Sequence, residues 1–182
     1  MDVAGLAIRA AQPADFEAIR DLHERAFGGE TVPRLVEALL DAPAAIAPVS
    51  LVATREGEKV VGHVLLSAAR LDAPPRLVDV VTLSPLAVAE EVRRQGIGAR
   101  LIESALAEAD KLGIPLVFLE GSPRYYSTRG FENAVSLGFR RPSLRIPEAA
   151  FQVARLSAYE PWMTGSFVYS ETFWAHDCVG LR

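Results

Sequence analysis

One stretch restricts what this chain can become more than any other. Leu77 to Val88 is a long apolar run that carries a proline, Pro85, and a short connection then leads through Arg93-Arg94-Gln95-Gly96-Ile97-Gly98 into a strongly helical pattern. A proline has no N–H to give to a β-ladder, so Pro85 implies an edge, a bulge or a place where the strand leaves its neighbour. Ile97, Leu101, Ala105 and Leu112, flanked by Ile102, Leu106 and Ala109, give the helix a broad apolar face. Lys111, Gly113 and Pro115 are end signals. The first N–H groups of such a helix have no internal partners, and the dipole makes that end partly positive. Gly96 and Gly98 let a ligand approach the backbone closely. The expected product is a phosphate or pyrophosphate cradle formed by the backbone amides of Arg93, Arg94, Gln95, Gly96, Ile97, Gly98 and Ala99, with arginine side chains secondary.

The rest of the chain supplies a sheet and its cover. Gly5 to Ala10 reads as a first strand, Pro13 to Phe27 as a helix, and Thr31 to Leu40 as a second helix. Leu51 to Thr54 and Val60 to Ser67 read as a hairpin turning at Glu56-Gly57-Glu58, and Asp72 to Pro75 as a turn. Leu116 to Glu120 is a strand, with a helical turn expected at Arg124 to Thr128 and late strands at Phe151 to Leu156 and Ser166 to Tyr169. The expected class is α/β: a mixed, mostly antiparallel central sheet with flanking helices and a parallel strand pair around the strong helix. One domain over residues 1–182 is expected, its last 40 or so residues completing the sheet or making an interface.

Composition removes several function classes. Half of the 182 residues are hydrophobic and 23% are charged, as in ordinary globular chains. A net charge of -4 and a pI near 5.4 argue against a nucleic-acid surface, since such domains usually lie above a pI of about 9. The one cysteine, Cys178, forbids an internal disulfide framework, and His23, His63 and His176 are too scattered to propose a metal centre. No membrane span and no signal pattern is evident, so the expected location is the cytoplasm. Trp162, Phe167, Tyr169, Phe173 and Trp174 make an aromatic tail that caps the sheet, lines an acceptor pocket or forms a homodimer contact.

No G-x-x-x-x-G-K-[ST] occurs, and Gly96-Ile97-Gly98 is not followed by the third glycine of a dinucleotide fingerprint. What remains is Leu86-Ala87-Val88, then Arg93-x-x-Gly96-x-Gly98, the helix, the strand Leu116 to Glu120, and Tyr126-x-x-x-Gly130-Phe131. In these motifs and their order the chain resembles the GNAT superfamily of acyl-CoA-dependent N-acyltransferases, and most of all its small bacterial YhbS-like branch.

The resemblance implies a fold and a chemistry. The strand with Leu86, Ala87 and Val88 splays from Leu116 to Glu120, the pantetheine arm of acetyl-CoA enters the gap, and the pyrophosphate sits on residues 93–99. An N–H of Val88 or Leu86 would polarise the thioester carbonyl. A primary amine would attack directly in a ternary complex, and Tyr126, at the family's donor position, would protonate the departing thiolate. Many relatives carry an asparagine after the strand; here Gly121-Ser122-Pro123 follows, which leaves Ser122 as a possible substitute in holding the pantetheine arm. The base is not fixed by the pattern: Glu120 is the first candidate, Glu30 the second, His63 and Asp79 outsiders, and water an alternative. The competing function is a non-catalytic acyl-CoA sensor of the same fold. No metal, nucleic-acid or membrane partner is expected.

Overall fold

The computed structural model describes residues 5–55 and 59–180; the turn expected at Glu56-Gly57-Glu58 lies outside them. Strand β1 (Ala7–Ala10) is followed by a 3-10 turn at Pro13–Asp15 and helices α1 (Phe16–Phe27) and α2 (Thr31–Asp41). Asp15 opens α1: its carboxylate takes two hydrogen bonds from Arg9 and one from the Gln12 amide, and the Arg9 hydrogen bonds hold its pKa below the usual carboxylate value. Gly28, in the left-handed region at φ 75, ends α1.

Strands β2 (Val49–Arg55), β3 (Lys59–Asp72) and β4 (Leu77–Val88) form an antiparallel meander. Helix α3 (Ile97–Lys111) then crosses to β5 (Leu116–Glu120), which pairs with β4 in parallel. After α4 (Pro123–Tyr126) come two short bridges, β6 (Glu132–Asn133) and β7 (Phe139–Arg140), then β8 (Phe151–Arg155), β9 (Gly165–Val168) and α5 (Glu171–Ala175). The strand order is β1-β2-β3-β4-β5-β8-β6, and β9 pairs with both β3 and β7. The expected architecture is therefore present. β3 runs to Asp72, beyond the predicted Ser67, because its far end is where β9 pairs, Arg70 opposite Val168.

Alternation sorts the side chains into two cores. Leu51, Ala53, Val64, Leu66, Val117 and Leu119 meet α3 on one face. The other face meets α1, α2 and the C-terminal aromatics. There Phe118 stacks with Phe167 (centroids 4.5 Å apart), Phe167 lies edge-on to Tyr169 (4.8 Å), and Tyr169 packs on Phe173 (4.5 Å). Three of the five tail aromatics are thus buried in this core. Trp162 lies outside the fully buried set and carries the guanidinium of Arg76 over its ring, 4.9 Å from the centroid.

His63, an outsider base candidate, is also core. Its Nδ1 is 2.7 Å from His23 Nε2 and its Nε2 is 2.9 Å from the Ser50 hydroxyl, and both rings are fully buried. His23 Nδ1 is buried without a partner. The network is satisfied best if that atom is a bare lone pair, with His23 Nε2–H donating to His63 and His63 Nε2–H donating to Ser50. Burial pushes His23 down to about 4; burial, with the neighbouring His23 adding to it, pushes His63 down to about 3. Both folded values lie below the unfolded 6.5, so the unfolded chain binds the extra protons. This contribution is complete above pH 6.5 and is lost as the pH falls from 6.5 towards 4. Urea unfolding at pH 7 and pH 5 is expected to differ by on the order of 2 kcal/mol per ring from this source. Replacing both rings by leucine should flatten that slope; an unchanged slope would place the acid sensitivity elsewhere.

Candidate active site

The decisive local feature is how β4 departs from its neighbours. Ladder pairing between β4 and β5 is confined to Val81–Val117 and Thr82–Phe118, where the Thr82 hydroxyl also donates to the Phe118 carbonyl (3.1 Å). Past Thr82 the two strands part. At the same place the β3–β4 register shifts between Val64 and Leu66, opposite Ser84 and Pro85, and the Ser84–Pro85 peptide is cis. The proline signal thus marks both a bulge and a separation.

The separation frees backbone groups. The Ala89 amide donates to the Val61 carbonyl (2.8 Å), which fixes the phase of the ladder: Ala87 and Ala89 turn their polar groups to β3. Leu86 and Val88 therefore turn theirs towards the gap. The Val88 carbonyl is reached from that side by Arg93 Nε at 3.1 Å.

A 3-10 turn at Glu90–Val92 and Gly96, at φ 85, deliver the chain into α3. Arg94 also has a positive φ, 63, so left-handed residues stand on both sides of Gln95. Among the described residues, the amides from Arg94 to Ala99 donate to no protein group; the first intrahelical bond is Arg100 N–H to the Gly96 carbonyl (3.1 Å). All of these residues except Gln95 border a cavity of about 670 Å³ whose walls include Leu86, Val88, Gly98, Tyr125, Tyr126 and Arg129.

A second cavity, of about 590 Å³, continues beyond it. Phe27, Leu86 and Tyr126 line both. The second space is walled by the start of α2 at Thr31 and Val32, by Leu83 to Leu86, and by Glu120, Tyr169 and the turn at 176–180.

The two adjacent tyrosines separate in role. The Tyr125 hydroxyl lies against Gly98 at the helix start, and Arg129 covers its ring, 3.9 Å from the centroid, while donating to the Tyr125 carbonyl. Tyr126 stands at the junction of the cavities, held edge-on to Tyr125 (4.9 Å) and to Phe131 (5.7 Å). Among the described residues no group hydrogen-bonds its hydroxyl. Burial, with Tyr125 beside it, pushes its pKa up to about 12. A phenol so raised is a poor acid but a steady hydrogen-bond donor at any physiological pH.

Glu120, at the end of β5, is the base candidate that lines either of these two cavities. It accepts from the Tyr169 hydroxyl (2.8 Å) and from the Gly180 amide (3.1 Å to Oε2). Burial raises its pKa, opposed by those two hydrogen bonds and by Arg145. The other candidates are engaged elsewhere. Glu30 is exposed and paired with Arg20 and Arg34; Asp79 is exposed and paired with Arg70; His63 is enclosed with His23.

Of the predicted cofactor residues, Leu86, Ala87, Val88, Arg93, Arg94, Gly96, Ile97, Gly98 and Ala99 all line the first cavity. Gln95 and Ser122 do not. The Gln95 side chain accepts from Arg55 (3.0 Å), and Ser122 is an exposed residue whose carbonyl starts α4. Sequence reasoning missed Ala26, Phe27 and Arg129 in this wall, and Asp177 and Gly180 in the next. Arg129 sits at an unspecified position inside the Tyr126-to-Phe131 motif, and the others arrive from distant segments with no local motif to announce them.

Comparison with known proteins decides the family. A model of the GNAT acetyltransferase domain matches residues 7–134. The chain belongs to the GNAT acetyltransferase family. It is 34% identical over 173 residues to the uncharacterized N-acetyltransferase YjhQ of Escherichia coli, covering 91% of this chain and 92% of that protein. It is also 34% identical over 152 residues to the uncharacterized N-acetyltransferase YhbS of E. coli, covering 82% and 87%. The crystal structure of YhbS in complex with CoA superposes with a TM-score of 0.82 at 32% identity, over 95% of this chain and 94% of that one. A GNAT acetyltransferase from Brucella melitensis in complex with acetyl-CoA gives a TM-score of 0.72 at 26% identity, over 92% and 97%. No helix among the described residues is long and apolar enough to cross a membrane.

Proposed function

We propose that the protein is an N-acetyltransferase that moves the acetyl group of acetyl-CoA to a primary amine by direct attack in a ternary complex. The observation that carries this reading is the row of unpaired amides at residues 94–99, opening into a cavity that meets a second one at Tyr126. The family and the two CoA-bound relatives support the choice of ligand.

The mechanism follows from the groups present. The amides of 94–99 and the positive end of α3 take the pyrophosphate. The backbone of Leu86 and Val88, turned into the gap, pairs with the pantetheine arm, and one of those N–H groups holds the thioester oxygen as it gains negative charge. The amine waits in the second cavity. Glu120 takes a proton from the ammonium and passes it to water, leaving a neutral nucleophile. Nitrogen attacks the thioester carbon, the C–N bond forms and the C–S bond breaks. Tyr126 donates a hydrogen bond to the leaving sulfur, and the second ammonium proton reaches the sulfur through it. Products are the N-acetyl amine and CoA thiol, with one proton released.

Thiol release from acetyl-CoA, followed with a panel of amines, tests the reading. Release matched one-for-one by N-acetyl product is the expected result, and Tyr126→Phe is expected to lower kcat by about 10²-fold or more with CoA affinity unchanged. Tight CoA binding with no release across the panel would instead establish the sensor function.

A further inference from the structure

The second cavity has a charge pattern that discriminates among acceptors. Among the described residues two carboxylates line it, Glu120 and Asp177, together with one imidazole, His176, whose Nδ1 lies 2.9 Å from the Thr172 carbonyl. Asp177 is already engaged by Arg145 at 3.0 Å. Glu120 is held by two neutral donors, the Tyr169 hydroxyl and the Gly180 amide. A carboxylate offers about four acceptor sites, so Glu120 keeps room on Oε2 for an ammonium. The same cavity is lined by the apolar side chains of Val32, Leu35, Leu83 and Pro85 and by the hydroxyl residues Thr31 and Ser84, with no lysine or arginine among the described lining residues.

We infer that the acceptor is a small aliphatic primary amine with no carboxylate near the amine, and that free amino acids are turned away. This rests on the acetyltransferase reading above. An ammonium docked at Glu120 exchanges water for a charge-assisted hydrogen bond in a partly desolvated site that Phe27 and Tyr126 also line. An amino-acid carboxylate would stand about 5 Å from Glu120, no lysine or arginine lines the cavity to receive it, and the nearby Arg145 is already paired with Asp177. At an effective dielectric constant near 20, like charges at that distance disfavour binding by about two orders of magnitude.

The test compares β-alaninamide with β-alanine at saturating acetyl-CoA, with rates referred to the ammonium fraction of each amine. The amide is expected to exceed the acid in kcat/KM by about 100-fold. Calorimetric titration of the same two compounds into the CoA-saturated protein should show the same order of preference, and Glu120→Gln should reduce it to a few-fold. Equal use of both compounds, or preference for the acid, overturns the acceptor assignment while leaving the acetyltransferase reading intact. A preference for the amide that survives Glu120→Gln overturns it too, since the discrimination then has another source. Absence of thiol release with every amine overturns both.

Discussion

Gly98→Val is expected to weaken CoA binding by about 10²–10⁴-fold while the protein stays folded. Hydrogen bonds from backbone amides to a charged group contribute about 1.5–3 kcal/mol each. Losing two of them to a branched side chain gives a factor of that size. The position is the second residue of α3, buried, and a Cβ there would run into the Tyr125 hydroxyl, with Val88 Cγ2 at 3.7 Å. The obstruction is the far end of a side chain that can swing outward, so the helix need not shift. The displaced tyrosine and the new methyl groups would then both crowd the space the diphosphate requires. Arg94→Ala should have a smaller effect that fades at high salt, because its exposed side chain adds only a screened charge. Calorimetry with CoA, alongside a thermal melt, reads both changes. Undiminished affinity in Gly98→Val would remove the diphosphate from the start of α3.

The same region shows what a sequence can and cannot reveal. Strand β5 and helix α3 fall within a residue of their predicted bounds, because apolar periodicity, a C-terminal lysine and a following glycine are all local signals. Pro85 was legible as a break in pairing for an equally local reason. Bridges β6 and β7, two residues each, carry no periodicity and exist only because β8 and β9 pass beside them. The charge of Arg93 suggested a phosphate ligand, yet its guanidinium turns back to the Val88 carbonyl, a contact that depends on the path of the connecting turn. The motif singles out Tyr126 but says nothing of Tyr125; the direction of a one-turn helix places Tyr125 on Gly98 and Tyr126 between the cavities. Tyr169 is expected in a late strand and in a tail that caps the sheet, walls an acceptor pocket or makes a dimer contact, and it lines the second cavity. Its hydroxyl reaches Glu120 across 49 positions of sequence, and no pattern within either segment encodes that meeting.

That meeting underlies the second large effect. Glu120→Gln is expected to lower kcat by about 10²–10⁴-fold, the usual contribution of a positioned base, and to abolish the acid limb of the kcat–pH profile. Glu120 must be ionised to accept a proton, so the wild-type rate should climb with pH through its pKa. Burial moves that value above the ordinary 4.5, while the hydrogen bonds from Tyr169 and Gly180 favour the charged form and restrain the rise. Tyr169→Phe removes one of those bonds, so its acid limb should move to higher pH with a plateau closer to wild type. A merely structural tyrosine would lower the plateau without moving the limb. CoA affinity should be unchanged in both variants, since Glu120 and Tyr169 line the second cavity and not the first. If Glu120→Gln keeps both its rate and its acid limb, the proton leaves through water and Glu120 only shapes the acceptor cavity.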